Sequence, residues 1–144
     1  MCLKAVAVTG GSSFIGKHLI KRLVSEGFDV CILVHEREFK WPGIKSIKGD
    51  LITGLGLDEL IAGREAVIHV AGCFVQPRHE IFKINVTGTF NLLEKCAEYE
   101  IERVVFSSGV ALCGEPPGRA WQEDDIPRPN TVYGLSKFLA EKII

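Results

Sequence analysis

The sequence predicts an α/β fold, a doubly wound parallel sheet of about five strands with helices on both faces. Three observations predict it. Short apolar runs alternate along the chain with longer segments of helical periodicity. Several of those runs are apolar throughout rather than alternating, as strands buried on both faces must be. A glycine-rich turn joins the first run to the first helical segment.

The elements follow in order. Lys4–Thr9, rich in Val and Ala, reads as the first strand, and GGSS as the turn after it. From Phe14 to Glu26 apolar residues recur at 14, 15, 19, 20, 23 and 24, a helical repeat that Gly27 closes. Asp29–Val34 is the second strand, and Ile44–Ile47 the third, ending at Gly49-Asp50. A short helix over Leu55–Ala62 precedes the fourth strand, Ala66–Val70. Glu80–Tyr99 is a long amphipathic helix with Ile81, Ile84, Phe90, Leu93 and Ala97 among its apolar positions. Arg103–Ser107 is the fifth strand, a loop rich in Pro and acidic residues runs from Glu115 to Asn130, and Thr131–Ile144 begins a last helix. Nothing repeats and no linker divides the chain, so residues 1–144 read as one domain.

Composition narrows the function classes. Of 144 residues, 47% are hydrophobic and 24% charged, an ordinary globular balance. A net charge of −1 favours neither nucleic acid nor an anionic membrane surface as a partner. The apolar runs stop well short of the roughly 20 residues of a membrane span. The brief apolar start of MCLKAVAVTGG runs straight into the turn and reads as a strand rather than a leader. Cys2, Cys31, Cys73, Cys96 and Cys113 form no C-x-x-C pair, which points to reduced thiols and a cytoplasmic protein.

The turn V-T-G-G-S-S-F-I-G stands where a dinucleotide fingerprint belongs. A helix N-terminus there offers free N–H groups and a positive dipole end to a pyrophosphate. Gly10, Gly11 and Gly16 permit the tight turn and close strand–helix contact, with Ser12 and Ser13 between them. Ser13 takes the place of the usual middle glycine and brings a hydroxyl toward the phosphates. At the end of the second strand, where an acid would meet a ribose 2′-hydroxyl, stand His35 and then Arg37, which tilts the expectation from NAD toward NADP.

Taken together, TGGSSFIG, GDL at 49–51, HVAG at 69–72, NVTGTFNLLE at 85–94, RVVFSS at 103–108 and PNTVYGLSK at 129–137 make the sequence resemble the extended short-chain dehydrogenase/reductases, the NAD(P)-dependent epimerase/dehydratase group acting largely on nucleotide sugars. The resemblance runs from Ala5 to the last residue and implies a Rossmann-type fold. It implies that Gly10, Ser12, Ser13, Phe14, Ile15 and Gly16 hold the pyrophosphate, that Asp50 and Leu51 flank the adenine, and that Val70, Ala71 and Gly72 line the ribose and nicotinamide side. The resemblance further implies that Asn85 anchors the pocket from the long helix and that Ser107 lies beside it. WQEDDIP at 121–127 resembles the acidic loop before the catalytic tyrosine of nucleotide-sugar enzymes.

Tyr133 and Lys137 stand four apart on one helix, so their side chains face the same way. A phenol with a pKa near 10 is a poor base at neutral pH, and a neighbouring ammonium favours its ionised form. The pair then exchanges a substrate hydroxyl proton while hydride moves to or from a nicotinamide. The family's catalytic Ser or Thr falls five residues before Gly114, and that position is Gly109; Ser108 is the nearest hydroxyl able to replace it.

Family members continue past this point into further strands and a substrate domain, so that half is expected to be absent from this chain, and the chain to self-associate or pair with a partner subunit. The sequence therefore supports an NAD(P)-dependent oxidoreductase, epimerase or dehydratase acting on a small molecule, a nucleotide sugar, or the cofactor-binding part of one. A non-catalytic NAD(P)-binding module is the alternative. A reductase of flavonoid- or steroid-like substrates shares the same first half.

Overall fold

The computed structural model describes residues 4–35, 39, 41–75 and 77–144. Along the chain lie β1 (Ala5–Thr9), α1 (Phe14–Ser25), β2 (Asp29–Val34), β3 (Lys45–Lys48), α2 (Leu57–Ile61), β4 (Ala66–His69), α3 (Arg78–Phe82), a π-helical turn (Lys83–Thr87), α4 (Gly88–Glu98), β5 (Arg103–Phe106), a 3-10 turn (Val110–Leu112) and α5 (Val132–Ile143). The strands form one sheet in the order β3-β2-β1-β4-β5, and every pairing is parallel. This is the Rossmann-type arrangement, whose winding reverses between β1 and β4 and opens a crevice at the carboxyl ends of those strands.

Two apolar layers explain why the strands are apolar throughout. On one face Ala7, Cys31, Leu33, Ile47 and Val67 pack against Leu57, Leu60 and Ile61 of α2 and Leu92 and Cys96 of α4. On the other, Val6, Val8, Val30 and Ile32 meet Ile20 of α1, with Leu19 and Leu23 beside it. Successive residues of one strand thus feed opposite cores.

Two helices differ from the sequence expectation. The apolar repeat of α1 does not all face the sheet: Phe14 is 81% exposed, Ile15 59% and Val24 41%. The long helix expected over 80–99 instead runs through α3 and α4 with the π turn between them. Buried Asn85 sits in that turn, and the Thr89 hydroxyl donates to its carbonyl at 2.7 Å. A π turn of this kind often marks a functional position.

A polar chain crosses the core at the end of β4. His69, 1% exposed, contacts Thr9 Oγ1 through Nδ1 at 2.6 Å and Thr89 Oγ1 through Nε2 at 2.9 Å. Thr89 spends its one proton on the Asn85 carbonyl, so it accepts from His69 Nε2–H. Nδ1 then accepts from the Thr9 hydroxyl, and the ring is neutral. Burial, seconded by the Lys137 ammonium, lowers the His69 pKa from 6.5 to about 3. An unfolded chain therefore binds a proton between those values that the folded chain refuses, and stability falls as pH drops through the window. Denaturant titrations are expected to show wild-type stability falling more steeply than that of His69→Gln, by up to about 1.4 kcal/mol per pH unit. Parallel profiles would contradict the neutral, buried assignment.

Candidate functional site

The β1–α1 turn is fixed by backbone approach. Gly10 has φ +73°, and a Cβ there would stand 2.5 Å from the Ala71 nitrogen. A Cβ on Gly16 would lie 2.2 Å from the Gly10 carbonyl oxygen. The turn is thereby closed upon itself and pressed onto the exit of β4. Ser13 caps α1, its Oγ accepting from the Gly16 N–H at 3.0 Å. That bond uses a lone pair and leaves the hydroxyl proton free to meet an anion.

A cleft of about 360 Å³ opens along the carboxyl ends of the strands. It gathers Gly10, Ser12, Ser13, His35, Asp50, Leu51, Val70, Ala71 and Gly72 from the residues the sequence singled out. Phe14, Ile15 and Gly16 lie in the first turn of α1 and do not line it. Neither do Asn85, Ser107, Tyr133 and Lys137. Arg37 lies outside the described residues. Thr9, Leu33, Gly49, Ile52, Cys73 and Ile84 complete the lining. Thr9 and Gly49 open the TGGSSFIG and GDL motifs, whereas motif matching passed over Leu33, Ile52, Cys73 and Ile84. At one end of the cleft His35 Nε2 lies 3.7 Å from Asp50 Oδ2, and Asp50 Oδ1 accepts from the Ile52 N–H at 2.7 Å.

Asn85 works from below this cleft. Its Oδ1 accepts from the Cys73 N–H at 2.7 Å, and its Nδ2 donates to the Cys73 carbonyl at 2.8 Å and to Ser136 Oγ at 2.9 Å. Ser136 Oγ in turn donates to the Tyr133 carbonyl at 2.7 Å. One amide therefore locks the loop after β4 to the turn of α5 that carries Tyr133 and Lys137.

α5 begins at Thr131, whose Oγ1 accepts from the Gly134 N–H at 3.0 Å. Lys137 is 3% exposed; its Nζ donates to the Ser107 carbonyl at 2.8 Å and lies 4.3 Å over the Phe106 ring. Carbonyl and ring face offset the cost of burying the ammonium. Burial holds the Lys137 pKa below the ordinary lysine value, against an opposing pull from Glu141. A Cβ on Gly72 would stand 3.5 Å from Lys137 Nζ, and one on Gly109 would stand 3.5 Å from Tyr133 Oη. The pair thus straddles the exit of β5, with Tyr133 set edge-on to Phe74 at 6.2 Å. The buried Oγ of Ser108 has no hydrogen-bond partner among the described residues. Among the same residues no group of His, Cys, Asp and Glu could hold a metal, and no helix is long and apolar enough to cross a membrane.

A capped helix N-terminus, a turn that only glycine fits and a cleft at the winding reversal form a dinucleotide-type site, and its donor set suits a pyrophosphate. Fold and site together define the class of α/β dinucleotide-binding domains that carry a Tyr–Lys pair. Residues 6–144 match the NAD dependent epimerase/dehydratase family, to which the chain belongs. It is 36% identical to the UDP-glucose 4-epimerase uge1 of Schizosaccharomyces pombe over 96% of this chain and 45% of that protein. It is 32% identical to the UDP-glucose 4-epimerase of Halalkalibacterium halodurans, again over 96% and 45%. The Thermus thermophilus UDP-glucose 4-epimerase complex with NAD superposes with a TM-score of 0.88 at 32% identity, over 96% of this chain and 49% of that one. The chain thus spans about half the length of the curated relatives it matches.

The Asn85 bonds are testable by truncation. Asn85→Ala leaves the Cys73 amide groups and Ser136 Oγ without partners, and is expected to lower unfolding free energy by about 2–3 kcal/mol. Hydrogen exchange at the Cys73 amide should accelerate in the same variant. A loss below about 0.5 kcal/mol, the size of an ordinary surface substitution, would show the bonds to be dispensable.

Proposed function

We propose that this chain is the NAD(P)-binding part of an oxidoreductase, epimerase or dehydratase acting on a nucleotide sugar. The observation that carries the reading is the joining, through Asn85 and Ser136, of the cleft loop at Cys73 to the helix of Tyr133 and Lys137. In this reading the pyrophosphate lies on the N-terminus of α1 at Ser12 and Ser13, and the adenosine end lies toward His35 and Asp50. The ribose and nicotinamide lie along Val70–Gly72, with Lys137 beneath Gly72. The nicotinamide, when bound, supplies the acceptor or donor of hydride. Tyr133 Oη takes up or returns the proton of the reacting hydroxyl.

The cofactor is NAD or NADP. UDP-glucose 4-epimerase relatives and the NAD complexes among similar structures support both the cofactor class and a UDP-sugar-like substrate. His35 at the end of β2, where no acid stands, favours NADP; exchange to Asp is expected to turn the preference toward NAD. Self-association or a partner subunit belongs to the same reading. A non-catalytic NAD(P)-binding module is the second reading, and Gly109 is the observation in its favour.

Calorimetric titration with both dinucleotides tests the proposal. Wild type is expected to bind, and Ser12→Asp, which sets a carboxylate against the pyrophosphate, to bind at least about tenfold more weakly. Tyr133→Phe should bind as wild type does while losing about a hundredfold or more of any turnover. Unchanged affinity in Ser12→Asp would place the site elsewhere, and undiminished turnover in Tyr133→Phe would leave the binding module as the better account.

A further inference from the structure

Position 109 sits beside the reactive oxygen and carries no side chain, and nothing in the fold requires that. Its backbone is extended, with φ −169° and ψ 144°, a conformation open to any residue. Beyond its chain neighbours, a Cβ there would meet within 4 Å, among the described residues, only Tyr133 Oη at 3.5 Å and Tyr133 Cε1 at 4.0 Å. A hydroxyl on that Cβ would fall within hydrogen-bond reach of Tyr133 Oη. Ser108 Oγ, buried and without a hydrogen-bond partner among the described residues, makes no bond to Tyr133. The glycine therefore leaves a notch, the size of a hydroxymethyl group, against the oxygen that exchanges the proton.

The surroundings of the notch say what it accepts. Val110, 73% exposed, and Phe74, 72% exposed, give it apolar flanks. A cleft of about 350 Å³ reaches Gly109 from the 115–130 loop, lined by Glu123 and Glu141 but not by Tyr133. Asp125 on the same wall is paired with Arg119, whose guanidinium is thereby engaged. An anionic group is disfavoured there, whereas a neutral hydroxyl finds acceptors and no repulsion.

We propose that the notch over Gly109 receives a hydroxyl of the substrate itself, carried on the carbon next to the reacting one, and that this hydroxyl gives the hydrogen bond a Ser or Thr side chain would otherwise give. Gly109 is then a specificity-determining residue that selects neutral vicinal hydroxyls over deoxy and carboxylate-bearing substrates. The proposal rests on the nucleotide-sugar reading above.

Two measurements on the full chain decide it. The first compares NAD(P)-dependent turnover of a nucleotide sugar with that of its analogue lacking the neighbouring hydroxyl. Wild type is expected to lose about a hundredfold in kcat/KM on the deoxy analogue, the scale of one aligned donor, and Gly109→Ser to lose less than about tenfold. Equal losses in the two proteins, or none in wild type, overturn the proposal and leave the functional reading standing. Absence of turnover with every nucleotide sugar, despite dinucleotide binding, overturns the proposal and leaves the binding module as the better account. The second needs no turnover. Tyr99 and Tyr133 are the only tyrosines, so in a Tyr99→Phe background phenolate absorbance reports Tyr133 alone. Adding Gly109→Ser is expected to move its midpoint to lower pH, because a donor favours the ionised form, and Gly109→Ala to leave it in place. A midpoint unmoved by the serine removes the geometry on which the proposal stands.

Discussion

Gly10 and Ala71 meet backbone to backbone, with no room between them for even a methyl group. This contact brings the turn after β1 against the exit of β4, where the winding of the sheet reverses. The cleft exists because those two segments touch there and then diverge, one into the N-terminus of α1 and the other into the loop at Gly72 and Cys73. The positive end of α1 is aimed along the cleft rather than into the sheet, which is what makes the space fit for an anion. A larger residue at 10 would push β4 away and undo cleft and anion cradle together.

From that contact a line of buried polar groups runs outward. The Ala71 N–H points at Thr9 Oγ1 at 3.4 Å, Thr9 bonds His69, His69 bonds Thr89, and Thr89 bonds the carbonyl of Asn85. The Asn85 side chain then reaches the Cys73 loop and α5. Each member is satisfied, so the line stiffens the core instead of weakening it. Its effect is positional: α5 is held in one register against the sheet, and Lys137 and Tyr133 are set on either side of the β5 exit. The buried ammonium needs that precision, because the Ser107 carbonyl and the Phe106 face are what offset its desolvation.

Sequence periodicity and turn chemistry found what is local. β1, the Ser13 turn, β2 and the four-residue spacing of Tyr133 and Lys137 each depend on near neighbours, and the structure holds them where the pattern put them. The π turn is different. Asn85 owes its conformation to Cys73, 12 residues away, and to Ser136, 51 away, and no pattern within 83–87 announces either. His69 reads as one polar residue in an apolar strand, since its partners stand 60 and 20 residues distant. Phe14 and Ile15 fit the helical repeat yet face outward, because periodicity records spacing and not which positions a helix buries. Ser13 was expected to turn its hydroxyl toward the phosphates; its oxygen serves first as the cap of α1.

In the proposed complex one dinucleotide lies across the β1 and β4 exits and touches the loop that Asn85 holds. Amide hydrogen exchange with and without saturating NAD or NADP tests it most directly. Protection is expected to concentrate at 10–16 and 70–73, with a weaker effect at 50–51, and little change along α2 or the outer face of α4. Protection confined to other segments, or none at a dinucleotide concentration that calorimetry shows to be saturating, would contradict it.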